Sequence, residues 1–170
     1  MKSLSFILLF YILILFGCKD ISSHPTPSEK QFALYLLNDG TITASRAWTM
    51  PQDSLVLAPV PFVTQNDIKS YTWSTHTFFV QPSLDSILGH MSMQVGKSGG
   101  VPFFATVGNE RVYLGAFWWY YSSSMSQVSY IYMNSLSPHQ IKHESLSLYP
   151  DLRNDQRIYH ALKAAGILVE

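Results

Sequence analysis

Leu4 and the stretch Phe6 to Phe16 form one apolar run, closed by Gly17 and Cys18. From Lys19 to about Lys30 the pattern disappears. That segment carries Pro25 and Pro27, which favour extended chain over helix or strand. Apolar patterning resumes at Gln31. Phe32 to Leu37 is a short strand-like run ended by Asn38-Asp39-Gly40, and Ser54 to Leu57 suggests a second strand before Pro59 and Pro61. Thr64-Gln65-Asn66-Asp67 has the Ser/Thr-x-x-Asp/Glu form of a helix start, so one short helix is expected near 65–72. Thr75 to Val80 reads as strand, stopped by Pro82, and Leu84 to Leu88 as a helical turn or loop. Val128 to Met133 and Ser145 to Tyr149 are candidate further strands. Near the end, Ile158, Ala161, Leu162 and Ala165 fall at i, i+3, i+4 and i+7, behind a cap at Asn154 or Asp155 and before Gly166. A C-terminal helix is expected there.

The clearest local signal lies between these segments. Val101 to Val107 and Arg111 to Trp119 are strand-like runs separated by Gly108-Asn109, and glycine accepts the positive φ of a two-residue hairpin turn. Ideal pairing across that turn sets Phe103 opposite Leu114 and Ala105 opposite Val112 on one apolar face. Phe104, Thr106, Arg111, Tyr113, Gly115 and Phe117 then share the other, aromatic and partly polar face, the expected binding side. The fold class expected is α+β: a mostly antiparallel sheet with a central hairpin at about 101–119, a short helix near 65–72 and a C-terminal helix packed on the sheet.

Composition narrows the classes. The chain has 170 residues, 47% of them hydrophobic and 14% aromatic, which suits one domain with a real core. Lys and Arg balance Asp and Glu at zero net charge, and no basic cluster stands out, so nucleic acid is not an expected partner. The opening apolar run, at about fifteen residues, is shorter than the ~20 a bilayer-spanning helix needs and fits a signal peptide. Cys18 is the single cysteine, which leaves no disulfide and no thiolate metal site in the rest of the chain.

Several strings invite a chemical reading. Gly96-Lys97-Ser98-Gly99-Gly100 satisfies Gly-x-Ser-x-Gly, but a nucleophile elbow needs a strand before it and a helix after it, whereas a strand follows here. His139 and His143 stand four apart, a metal-gripping pair if helical, though without the glutamate of the metalloprotease motif and without an obvious third ligand. Asp67, Tyr71 and His76 are close enough along the chain to converge on one pocket. Trp118-Trp119-Tyr120-Tyr121 is the densest aromatic run, and alternation sends Trp118 and Trp119 to opposite faces. No catalytic residue, metal or other cofactor is assigned. Tyr71, His76, Asp67, Trp118 and Trp119 are the candidate ligand-binding residues.

Leu15-Phe16-Gly17-Cys18 resembles the lipobox of bacterial lipoproteins, with Phe16 departing from the usual small or aliphatic residue. The resemblance implies a signal peptide over 1–17, lipid on Cys18, a flexible tether over 18–30 and a globular domain over 31–170. It also implies a domain held outside the cytoplasm on a membrane of the bacterial envelope, the outer membrane if the host has one. Pro102-Phe103-Phe104, Gly108 to Trp118 and Ser122-Ser123, with Asp67-Ile68, Tyr71 and His76, resemble a family of uncharacterised bacterial lipoproteins, which brings no activity with it. The expected function is a non-catalytic envelope lipoprotein that binds a ligand, an envelope protein or a glycan. The alternatives are a hydrolase-like enzyme built on Asp67 and His76 and an assembly factor of a surface complex.

Overall fold

The computed structural model describes residues 30–81, 84, 99–133 and 138–170. The expected signal peptide, Cys18, the expected tether before Lys30, Pro82, and residues 85–98 with Ser98 lie outside the described residues.

Two sheets are built among the described residues. The first holds β1 (Phe32–Leu36), β2 (Val63–Thr64), β5 (Val101–Val107), β6 (Glu110–Trp118) and β7 (Ser129–Tyr132) in the order β2-β1-β5-β6-β7. The second holds β3 (Ile68–Thr72), β4 (Thr77–Val80), β8 (His139–Gln140) and β9 (Leu168–Val169) in the order β8-β4-β3-β9. Helix α1 (Ala44–Ala47) and helix α2 (Gln156–Ala164) complete an α+β fold. The sheets are mixed, because β6 pairs with β7 and β3 with β9 in parallel. Tyr130 of β7 also exchanges backbone hydrogen bonds with Lys142, just past β8, which ties the edges of the two sheets together.

The central hairpin turns at Gly108-Asn109 as expected, with Gly108 at φ +56°. Its register begins as expected, Val107 to Glu110 and Thr106 to Arg111, and then shifts. Ala105 pairs with Tyr113, leaving Val112 as the extra residue of a β-bulge. Every later position is moved by one, so Leu114 lies opposite Phe104 and Phe103 lies opposite Gly115. Leu114 is fully buried, but on the face away from Phe103.

That shift matters because both faces of β5 and β6 are covered. Phe103, Ala105, Tyr113 and Phe117 pack against Tyr71 and Phe78 of the second sheet and Ile158 and Leu162 of α2. Phe104, Leu114, Ala116 and Trp118 pack under Ala44 and Ala47 of α1 and Leu55. A strand buried on both sides reads as a nearly continuous apolar run, which is how Val101–Val107 is composed. The face expected to bind a partner is therefore interior. Arg111 is not a free surface side chain either: its guanidinium donates to the carbonyls of Gln52 and Leu55 and lies 4.9 Å from the Phe104 ring centre.

Three further expectations change. The helix start at Thr64 forms, with the Asp67 carboxylate accepting from the Thr64 amide and hydroxyl at 2.8 and 2.7 Å. Only a 3-10 turn over Gln65–Asp67 follows, and Ile68–Thr72 is strand. Pairing with β4 on one side and β9 on the other outweighs a weak local helix signal. Ser54 to Leu57 contributes a single bridge, Leu37 to Leu57, rather than a strand, and Ser145 to Tyr149 is a turn with Leu146 and Leu148 exposed. The C-terminal helix matches its expectation: the Asp155 side chain accepts from the Arg157 amide, Ile158, Ala161 and Leu162 are buried, and Gly166 follows at φ +72°.

Candidate functional site

Tyr71 is the next-to-last residue of β3, and a 3-10 turn over Trp73–Thr75 returns the chain into β4 through His76. His76 holds a left-handed backbone (φ 51°, ψ 39°), uncommon for a residue other than glycine, although histidine enters it more readily than most. Tyr71 Oη lies 3.1 Å from His76 Nδ1, and both side chains are buried. Burial, followed by the nearby positive charge of Arg153, lowers the His76 pKa to about 4, so the ring is neutral at pH 7. Burial pushes the Tyr71 phenol up. The phenol and Nδ1 therefore share a hydrogen bond between two neutral groups. The structure brings Tyr71 and His76 together and sets Asp67 apart from them, since the Asp67 carboxylate is taken by Thr64.

His139 and His143 do not share a helix. His139 is buried on β8 among neighbours that include Phe78, and His143 Nδ1 lies 3.1 Å from the Ser129 hydroxyl.

The second candidate grows from the end of β6. Trp118 is its last residue and is buried, with Nε1 donating to the Ser124 carbonyl at 3.1 Å, which pins the serine-rich loop that follows. Trp119 is half-buried on the opposite side and stacks on Tyr121 with centroids 5.4 Å apart. Tyr120, Tyr121 and Met125 are exposed at 61%, 58% and 49%, so this loop presents large apolar groups to solvent.

Strand β7 places Tyr130 and Tyr132 on one face, two residues apart, with ring centroids 5.1 Å apart. The bridge between Tyr130 and Lys142 then brings in Glu144, whose carboxylate accepts from the Tyr130 hydroxyl. Burial and then that bond raise the Tyr130 phenol well above its ordinary range, so it stays a neutral donor. Lys142 Nζ lies 4.9 Å from the Tyr132 ring centre. The aromatic rings, Glu144 and the serines and Met125 of the loop, without Lys142, line a pocket of about 160 Å³ that Trp118, Trp119, Tyr120, Tyr130 and Tyr132 all reach.

Of the five residues named from sequence, Trp118 and Trp119 reach this pocket, while Tyr71, His76 and Asp67 do not. Tyr130, Tyr132 and Glu144 were missed. Alternating tyrosines inside an expected strand were a usable signal for the first two; nothing local marks Glu144.

A wider trough of about 380 Å³ runs beside α2, floored by Val107, Ala161 and Ala164 and edged by Lys30, Glu110, Arg157 and His160. Arg157 is bonded to Glu110 and Asp155 there. No helix among the described residues is long and apolar enough to cross a membrane. The chain matches no protein-family model, no curated protein and no solved structure.

Proposed function

We propose that this chain is a bacterial envelope lipoprotein, anchored by lipid on Cys18, whose domain binds a ligand or a partner protein without performing chemistry on it. One observation carries the binding reading. A pocket of aromatic rings, serine hydroxyls and one carboxylate opens beside exposed Tyr120, Tyr121 and Met125. Exposed aromatic clusters of this kind are uncommon on a surface that meets only water, and they are the side chains that dominate binding interfaces. The enzyme alternative loses its constellation, because Asp67 caps Thr64 and His76 is buried against Tyr71. For the anchor, support comes from the Leu15-Phe16-Gly17-Cys18 string.

Two measurements test these two parts. Nitration of Tyr120 and Tyr121 should be slower in intact cells than in the purified chain; equal labelling in both settings overturns the binding role. Mass spectrometry of the native N-terminus should find an acylated residue 18. An unmodified N-terminus downstream of Cys18 overturns the anchor.

A further inference from the structure

We propose that the pocket between the 119–126 loop and β7 takes an organic ammonium group, held against the Glu144 carboxylate and the faces of the surrounding rings. The inference rests on the binding role proposed above and names the chemistry of the ligand.

Charge gives the first argument. The residues lining the pocket are aromatic, serine or methionine apart from Glu144, which is the one formal charge among them. Glu144 accepts a hydrogen bond from Tyr130, a neutral donor, and makes no ion pair among the described residues. A half-buried carboxylate that makes no ion pair repels anions and attracts a cation.

Ring chemistry gives the second. Aromatic faces attract ammonium groups through their quadrupole, and clustered aromatic rings are a recognition device for quaternary ammonium. This cluster already holds one amine in that manner, the Lys142 ammonium over Tyr132. Lys142 does not line the pocket, so the rings of Trp119, Tyr120 and Tyr130 remain for a ligand.

Size gives the third. About 160 Å³ is below the ~300 Å³ at which pockets for drug-sized ligands begin, so the site suits a small headgroup better than a chain of sugars. The hydroxyls of Ser122 and Ser124, 2.9 Å apart, add acceptors for a primary amine or a neighbouring hydroxyl.

The test is calorimetric titration of the full chain in detergent with choline, with its uncharged isostere 3,3-dimethylbutan-1-ol and with glycerophosphocholine. Choline should bind saturably, and the isostere at least about tenfold more weakly. Glu144→Gln keeps an acceptor for Tyr130 but removes the charge, so it should weaken choline by a similar factor at an unchanged melting temperature. Tighter binding of glycerophosphocholine than choline would mark a lipid headgroup as the source, and the reverse order a free amine; either supports the site. Absence of choline binding, equal binding of the isostere, or unaltered affinity in Glu144→Gln overturns it. If Tyr120 and Tyr121 are protected in cells while choline fails to bind, the binding role stands and the ammonium assignment alone falls.

Discussion

At the scale of the residue, His76 is constrained in several ways at once. It combines a left-handed backbone, burial and a bond with Tyr71, and its own carbonyl accepts from Ile141 at 2.9 Å. These features make it a joint between β3, β4 and β8. They also make stability depend on pH. The pKa of His76 is about 4 folded against 6.5 for the free side chain, so below pH 6.5 the unfolded chain binds the extra proton first. The contribution is complete above pH 6.5 and is lost as pH falls toward 4, at a rate of at most about 1.4 kcal/mol per pH unit for one group. Gln at this position keeps an acceptor for Tyr71 and cannot titrate. Thermal unfolding of wild type and His76→Gln across pH 7 to 4 should therefore converge, with wild type losing more. Parallel losses would show that protonation of His76 is not linked to folding.

At the scale of the element, the hairpin shows where reading a sequence succeeds and where it stops. Gly108-Asn109 marked the turn because a turn is a four-residue event. The bulge at Val112 answers to packing on both sides of the sheet, which no window of the hairpin contains. The same limit explains β3: Thr64 and Asp67 signalled a helix start correctly, but the partners that convert Ile68–Thr72 into strand are β4 and the distant β9. Helix α2 was legible because its cap, stripe and terminal glycine are all local. In the pocket, Trp118 and Trp119 announced themselves by density, whereas Glu144 arrives through the Tyr130–Lys142 bridge. The register itself can be tested. A Cβ on Gly115 would lie 2.3 Å from the Phe103 ring, which is fully buried and has nowhere to move. Gly115→Ala should cost about 1–3 kcal/mol by overpacking. Phe103→Leu shortens the opposing side chain, so the double variant should be less destabilised than the sum of the two single ones. Additive costs in denaturant titration would place Gly115 away from Phe103 and reject the bulged register.

At the scale of the whole molecule, β5 and β6 act as a wall shared by two cores. On one side lie the second sheet and α2; on the other lie α1 and the Leu55 segment. Helix α1 is only four residues long and has no side-chain cap; its first amides donate instead to the carbonyls of Gly99 and Gly100, next to β5. The α1 cover has no strand of its own, and the second sheet buries its inner face on β5 and β6, so neither core should persist once the wall is lost. This arrangement predicts one cooperative transition. Leu114 belongs to one core and Leu162 to the other, and both are fully buried. Replacing either by alanine removes transfer energy and leaves a cavity, at a cost of about 2–5 kcal/mol. If the wall couples the cores, each variant should lower the same single melting transition, whether unfolding is followed by backbone circular dichroism or by tryptophan fluorescence. The two probes are unequal witnesses: Trp48 and Trp118 report on the α1 side, and Trp73 and Trp119 on the α2 side. A Leu114→Ala variant whose fluorescence changes early while circular dichroism holds to a higher temperature would show part of the molecule melting ahead of the rest, and the coupling of the two cores through the wall would fail.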